Sequence, residues 1–289
     1  MTLNYDYSGR ELQGTAFASL LKQVHKLMDM DLTFYKPDQV KRLLESARRR
    51  YGADSYAVLL KRLRADPELL AEFKGRMSIN VSEFFRDPPR YDYLTQTVLP
   101  EIGRNNSLPR VWSAGSSVGC EPYSIAILLK ENGWLGTSNV LGSDIDVDAV
   151  ARARTGLYWE SEIRHVPRAL RGKYFHRMAR VSDHQLPVPP RRTKDGDLEA
   201  IYRLRDDVRS AVNYRVEDLF KSRYSDEFDL IVCRNVTIYF TEEAKKFLYT
   251  RLCAALKQGG YLFVGGTEII FQAEKLGLDS NAPFFYRKQ

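Results

Sequence analysis

The stretch RVWSAGSSVGCEPYSIAILL, residues 110–129, decides the fold. An apolar run ends at Ala114, small residues fill Gly115–Gly119, and a helical pattern follows from about residue 121. A loop at the carboxyl end of a first parallel strand is where open α/β sheets bind ligands. Gly115 and Gly119 let the backbone turn sharply and approach a ligand closely. Their spacing is G-x-x-x-G, without a G-x-G-x-x-G pattern or a Gly-Lys-Ser/Thr, which weakens dinucleotide and P-loop readings.

Working outward, short β-rich runs alternate with helical segments. RVWSAG (110–115), NVLGSD (139–144), FDLIVCRN (228–235) and GYLFVGG (260–266) are expected as buried strands, with helices over 121–132, 147–154 and 241–257. Strand alternating with helix predicts a mostly parallel sheet covered on both faces. Residues 160–215 break that rhythm. HQLPVPPRRTKDG (184–196) is a Pro-rich charged loop, and IYRLRDDVRSAVNYRV (201–216) alternates as hairpin strands would, so a small β insertion is expected at about 180–215.

Upstream, residues 15–75 are helical in pattern. Phe17, Leu20, Leu21, Val24 and Leu27 share one face, as do Val40, Leu43, Leu44 and Ala47, while Lys41, Arg42, Arg48 and Arg49 fall opposite the second of these. Between Lys41 and Arg64 stand eight Lys or Arg against only Glu45 and Asp54, a density that suits either a solvated face or a docking surface for something acidic. The expected organisation is a helical domain over 1–78, a linker over 79–100 and an α/β domain over 101–289.

Composition narrows the class. The 289 residues carry a formal net charge of +7, which favours an acidic partner without choosing among nucleic acid, membrane surface and acidic protein. No apolar run approaches the ~20 residues of a membrane helix, and the N-terminus lacks a secretory h-region, so a cytoplasmic protein without membrane insertion is expected. Cys120, Cys233 and Cys253 are odd in number and have no C-x-x-C spacing, which argues against disulfides and a zinc site; no metal is expected.

Asp144 ends the second strand, where a carboxylate can accept from ribose hydroxyls. With the glycine loop it favours a nucleoside ligand lacking pyrophosphate, for which S-adenosylmethionine is the candidate. Glu121 serves either as a favourable charge at a helix start or as a partner for the amino group or sulfonium of that cofactor. Asp218, in VEDLF, follows a strand and is a candidate for the adenine amino group.

Four segments in order, INVSEFFRD (79–87), VWSAGSSVGCEPYS (111–124), GSDID (142–146) and DLIVCRNVTIYF (229–240), resemble the chemotaxis receptor protein-glutamate O-methyltransferases, the CheR family. LFVGGTE (262–268) and the final FFYRK are lesser marks of the same resemblance, which runs from about residue 15 to the C-terminus. It implies a class I, Rossmann-like methyltransferase fold with a small antiparallel β subdomain, preceded by an all-α domain. Carried over by motif, Asn80, Ser82, Arg86, Ala114, Gly115, Glu121, Asp144, Asp218, Leu219, Arg234 and Asn235 are implied cofactor contacts, and Arg86 and Tyr239 are implied beside the transferred methyl. Implied partners are the cytoplasmic regions of methyl-accepting chemoreceptors, docking on Lys41, Arg42, Arg48 and Arg49; the enzyme is expected to act as a monomer and to release S-adenosylhomocysteine. The family usually has GEEPY where this chain has GCEPY, so Cys120 replaces one acid.

A glutamate acceptor has a reference pKa of about 4.3 and is ionised at neutral pH, so the chemistry needs no general base. The rival readings are a nucleic acid methyltransferase, which lacks support from any N-P-P-Y or D-P-P-Y motif, and a cofactor-binding signalling module without turnover.

Overall fold

The computed structural model describes residues 15–77, 82–105, 108–136, 139–178, 191–224 and 227–289. The chain divides into two compact units, one formed by residues 1–79 with 238–247 and the other by residues 80–237 with 248–289.

The larger unit is built on a seven-stranded sheet. Its strands are β1 (Val111–Ala114), β2 (Val140–Asp144), β6 (Val212–Val216), β7 (Phe228–Cys233), β8 (Leu256–Val264), β9 (Leu278–Ala282) and β10 (Phe285–Lys288), in the order β6-β2-β1-β7-β8-β10-β9. β6, β2, β1, β7 and β8 run parallel, whereas β10 is antiparallel to both β8 and β9. Every residue of β1 and β7 is buried, as expected of central strands covered on both faces. The chain leaves β1 for β2 on one side and later returns to pair β7 on the other, so the strand order reverses at β1 and opens a crevice at its carboxyl end.

A second sheet of three antiparallel strands has the order β3-β5-β4, with β3 at Leu157–Trp159, β4 at Phe175–Arg177 and β5 at Ile201–Leu204. It begins ahead of the expected insertion at 180. The hairpin expected over 201–216 does not form: after β5 a short helix at Asp206–Arg209 turns the chain into β6, which joins the main sheet beside β2. Alternation is common to both strands, and alternation alone does not name the partner. The Pro-rich loop lies outside the described residues over 184–190, and its remainder folds into a tight turn in which Thr193 N–H donates to the Asp197 carbonyl.

Residues 84–100, within the expected linker, are packed, and from Pro88 onward they are helical. Helices Pro88–Tyr93 and Leu99–Asn105 flank a π-helical turn at Leu94–Val98, and Phe84, Phe85, Tyr91, Leu94, Val98, Leu99 and Ile102 are buried in the same core as the sheet.

The smaller unit contains helices Thr15–Met28, Pro37–Arg50, Tyr56–Ala65 and Pro67–Met77. Val40, Leu44 and Ala47 form the buried stripe of the second, and Pro37 sits in its first turn, where a missing N–H leaves nothing unsatisfied. Residues 238–247 belong to this unit, since Lys36 N–H donates to the Tyr239 carbonyl at 2.9 Å and Thr241 N–H to the Phe34 carbonyl at 2.8 Å.

Candidate active site

The glycine loop bends back on β2. Gly115 and Ser116 N–H both donate to the Ser143 carbonyl at 2.8 Å, and Ser117 N–H donates to Asp144 Oδ2 at 2.7 Å. Gly115 has φ +79°, and a Cβ there would stand 2.4 Å from Val236 Cγ2, so this position requires glycine because the loop after β7 presses against it. Gly119 has φ +89°, and its Cβ would meet Tyr214 Oη at 2.5 Å and Ala153 Cβ at 2.9 Å. Asp144 therefore already braces the loop: Oδ2 holds Ser117 and Oδ1 accepts from Asp146 N–H at 2.9 Å. Burial raises its pKa, and those amides oppose the rise.

A second cluster gathers around Arg234, at the carboxyl end of β7. Its guanidinium donates to Asp87 Oδ2 at 2.6 Å and to the Arg86 carbonyl at 3.1 Å, and lies 3.6 Å from Glu121 Oε2. The side chain is only 2% exposed and sits over the Phe263 ring at 4.6 Å from its centroid. Nε is buried and has no hydrogen-bond partner among the described residues. Glu121, on the first turn of helix Cys120–Glu131, also accepts from Ser113 Oγ at 2.8 Å. Its pKa is raised chiefly by burial; Arg234 and Ser113 counter the rise, and the charge of Glu268 adds to it.

Backbone strain concentrates here. Phe85, Asp87, Ser117 and Asn235 all have left-handed φ, at 52°, 63°, 48° and 59°, although none is glycine. Such conformations persist only where their surroundings hold them. Phe85 N–H donates to Ser124 Oγ at 3.0 Å, Arg234 grips residues 86 and 87, and Asp144 holds Ser117. Asn235 is held by Glu268, which is 2% exposed and accepts its N–H at 2.5 Å.

The sequence-derived candidates thus fall into groups. Arg86, Glu121 and Arg234 are brought together directly; Ala114, Gly115 and Asp144 lie along the carboxyl ends of β1 and β2; and Val236 links the glycine loop to the Arg234–Asn235 segment. Asp218 forms a turn by accepting from Phe220 N–H at 2.8 Å, and the Leu219 carbonyl accepts from Arg251 Nη1 at 2.8 Å. Ser82 lies near Cys120, whose fully buried thiol has its pKa driven upward by burial. Asn80 lies outside the described residues, and Tyr239 falls in the smaller unit.

The four docking candidates differ in their surroundings. Arg48 does not project from the open face; it is folded onto Glu45, with bonds of 2.9 Å and 2.7 Å, and reaches the Ala53 carbonyl at 3.1 Å. Lys41 lies over the Phe17 ring, whereas Arg42 and Arg49 are exposed.

The donor set indicates what can bind. Asp144 and Glu121 are acceptor-only groups when ionised, and a carboxylate has room for more donors than either accepts here. That suits a ligand combining sugar hydroxyls with positive charge, as S-adenosylmethionine does. The sequence profile for the CheR methyltransferase SAM binding domain matches residues 80–188 and 190–281, and that for the CheR methyltransferase all-alpha domain matches residues 15–78. The chain belongs to the CheR methyltransferase family. It is 34% identical over 266 residues to a chemotaxis protein methyltransferase of Listeria innocua, covering 92% of this chain and 94% of that one. A chemotaxis protein methyltransferase of Listeria monocytogenes is 33% identical with the same coverage, and one of Borreliella burgdorferi is 31% identical over 70% of this chain and 68% of its own. As a CheR methyltransferase, the protein uses S-adenosylmethionine as methyl donor in chemotaxis.

In this CheR chain, Asp87 and Glu268 are structural partners of the site that sequence reasoning passed over. Asp87 was visible only as the residue after Arg86, and Glu268 only as the last letter of LFVGGTE. Apart from Gly265, their partners lie far away in the chain, and no local spacing announces them.

Proposed function

We propose that the protein methylates glutamate side chains of chemoreceptor cytoplasmic regions, forming methyl esters, and that it acts as a cytoplasmic monomer. The bound donor supplies an electrophilic methyl group on a sulfonium sulfur. Asp144 and Glu121 hold its polar and positively charged parts, with Ser82, Ala114, Gly115, Asp218, Leu219, Arg234 and Asn235 completing the pocket, and Asn80 joining them on the strength of its motif.

The observation that carries this reading is the clasp at Arg234. One buried guanidinium binds the carbonyl of Arg86 and the side chain of Asp87 and faces Glu121, so Arg86 is fixed at the same edge as the acid assigned to the donor. The planar fork of Arg86 suits a carboxylate acceptor. An ionised glutamate needs only to be aimed, and positioning of that kind can contribute about 7–11 kcal/mol. Tyr239 is assigned beside the methyl by its place in the RNVTIY segment. Lys41, Arg42, Arg48 and Arg49 are the surface for an acidic receptor helix, with Arg48 also tying its helix to the Ala53 carbonyl beyond its end.

The test is mass spectrometry of receptor cytoplasmic fragments after incubation with this protein and S-adenosylmethionine. Base-labile methyl esters on glutamates are expected, abolished in Arg86→Ala with donor binding retained. Methylation of RNA in place of receptor would overturn the substrate assignment, and donor binding without any ester would overturn turnover.

A further inference from the structure

The acid Glu268 is assigned no contact with donor or acceptor, yet it is bound more fully than any other carboxylate among the described residues of the site. Oε2 accepts from Asn235 N–H at 2.5 Å and Gly265 N–H at 2.8 Å; Oε1 accepts from Val236 N–H at 3.0 Å, Thr237 N–H at 2.7 Å and Thr237 Oγ1 at 2.9 Å. All five donors are neutral, and four of them come from three consecutive residues directly after Arg234. A carboxylate in such a nest makes charge-assisted hydrogen bonds, roughly twice as strong as neutral ones. It therefore dictates the path of the 235–237 backbone, including the left-handed turn at Asn235.

That backbone does two things at the site. It carries Asn235, and it sets Val236 against the glycine loop, where Gly115 leaves room for nothing larger than hydrogen. We propose that Glu268 is a positioning residue for methyl transfer, setting the loop after β7 so that Asn235 and the glycine loop stand in register for the donor. Glu268 does not itself touch the reacting atoms. The proposal rests on the assignment of Asn235 to the donor pocket.

Glu268→Gln tests it. An amide keeps one acceptor oxygen, but its NH2 faces backbone N–H groups that need an acceptor, so the turn at Asn235 loses its hold. Titration calorimetry of the full chain with S-adenosylmethionine is expected to show a Kd at least tenfold higher, with kcat at saturating donor changing less than KM for donor. Thr237→Val controls for a merely structural role. It deletes one of the same five bonds and the 2.9 Å contact between Thr237 Oγ1 and Tyr249 Oη, yet leaves the grip on Asn235 and Val236. It should lower the melting temperature without the affinity loss. Affinity unchanged in Glu268→Gln, or lost equally in Thr237→Val, overturns the proposal. Should the Gln variant fail to fold, Glu268→Asp retains the charge on a shorter arm; a raised donor Kd supports the proposal and a wild-type Kd overturns it. Asn235→Ala separates the two assignments: wild-type donor affinity there refutes the role of Asn235, whereas a loss there with none in Glu268→Gln refutes the positioning role alone.

Discussion

Glu45 and Glu268 each gather several donors on one carboxylate, and the routes they use set the two units of the molecule apart. Glu45 accepts from Arg48, Arg49 and Tyr56, which lie three, four and eleven residues further along. Glu268 accepts from Gly265 nearby and otherwise from residues 31 to 33 positions earlier, across the β7–β8 edge. In the helical unit, Glu45 is neutralised locally, by the partly buried Arg48 and the exposed Arg49. In the sheet unit, Arg234 and Glu268 are held by partners brought together only by folding, so single substitutions at these two should propagate, while those around Glu45 should stay local.

The sharpest way to break that contrast is Arg234→Ala. Removing a 2% exposed cation leaves Glu121 without its counter-charge, and breaking a buried pair costs about 3–5 kcal/mol. Stability is expected to drop by about 3 kcal/mol in denaturant titration, together with loss of methyl transfer as residues 86 and 87 lose their tie to Arg234. A drop below about 1 kcal/mol, the scale of an exposed pair, would mean that the sheet unit treats its ions no differently from the helices.

A smaller effect separates conformational demand from packing demand. Gly119 and Gly133 both have left-handed φ, but only a Cβ at Gly119 would collide, with Tyr214 and Ala153; Gly133 has open space. Gly133→Ala should cost about 1 kcal/mol from the backbone alone, and Gly119→Ala about 2–3 kcal/mol because a packing clash is added. Equal melting temperatures for the two variants would show that the loop after β1 relaxes freely.

These pairs also show what could be read before folding. The strand–loop–helix at 110–129, the acids Glu121 and Asp144 and the helical N-terminal region carry local signals: burial pattern, glycine spacing, period of 3.6. The hairpin expected over 201–216 failed because β5 and β6 share an alternating pattern yet belong to different sheets, and only the register Val140↔Val212 assigns the second. Within the linker expected over 79–100, FFRDPPRYDYL looks like punctuation, although Phe84, Phe85, Tyr91 and Leu94 are core. The roles of Asp87, Arg234 and Glu268 depend chiefly on partners 31 to 148 residues away, a distance at which sequence periodicity carries nothing.

The mildest test turns the contrast into opposite responses to acid. Glu45 has its pKa lowered to about 2, first by the Arg48 guanidinium, against about 4.3 in an unfolded chain. Its ion pairs therefore stabilise the fold above about pH 4.3, and that contribution is lost as pH falls toward 2. Because the Glu45 side chain is 30% exposed, solvent screening holds the amount to about 1 kcal/mol. Glu121 and Asp144 are shifted the other way, mainly by burial, so their share of stability is greatest when they are protonated and declines as pH rises through the unfolded value. Melts recorded between pH 2 and 5 should show Glu45→Gln with a flatter acid limb than wild type, and Glu121→Gln, which also removes the partner of Arg234, with a deficit against wild type that shrinks toward the upper end of that range, where the native acid would otherwise ionise in a buried place. If Glu45→Gln melted in parallel with wild type down to pH 2, its three donors would hold nothing that water does not, and the local neutralisation of the helical unit would carry no stability.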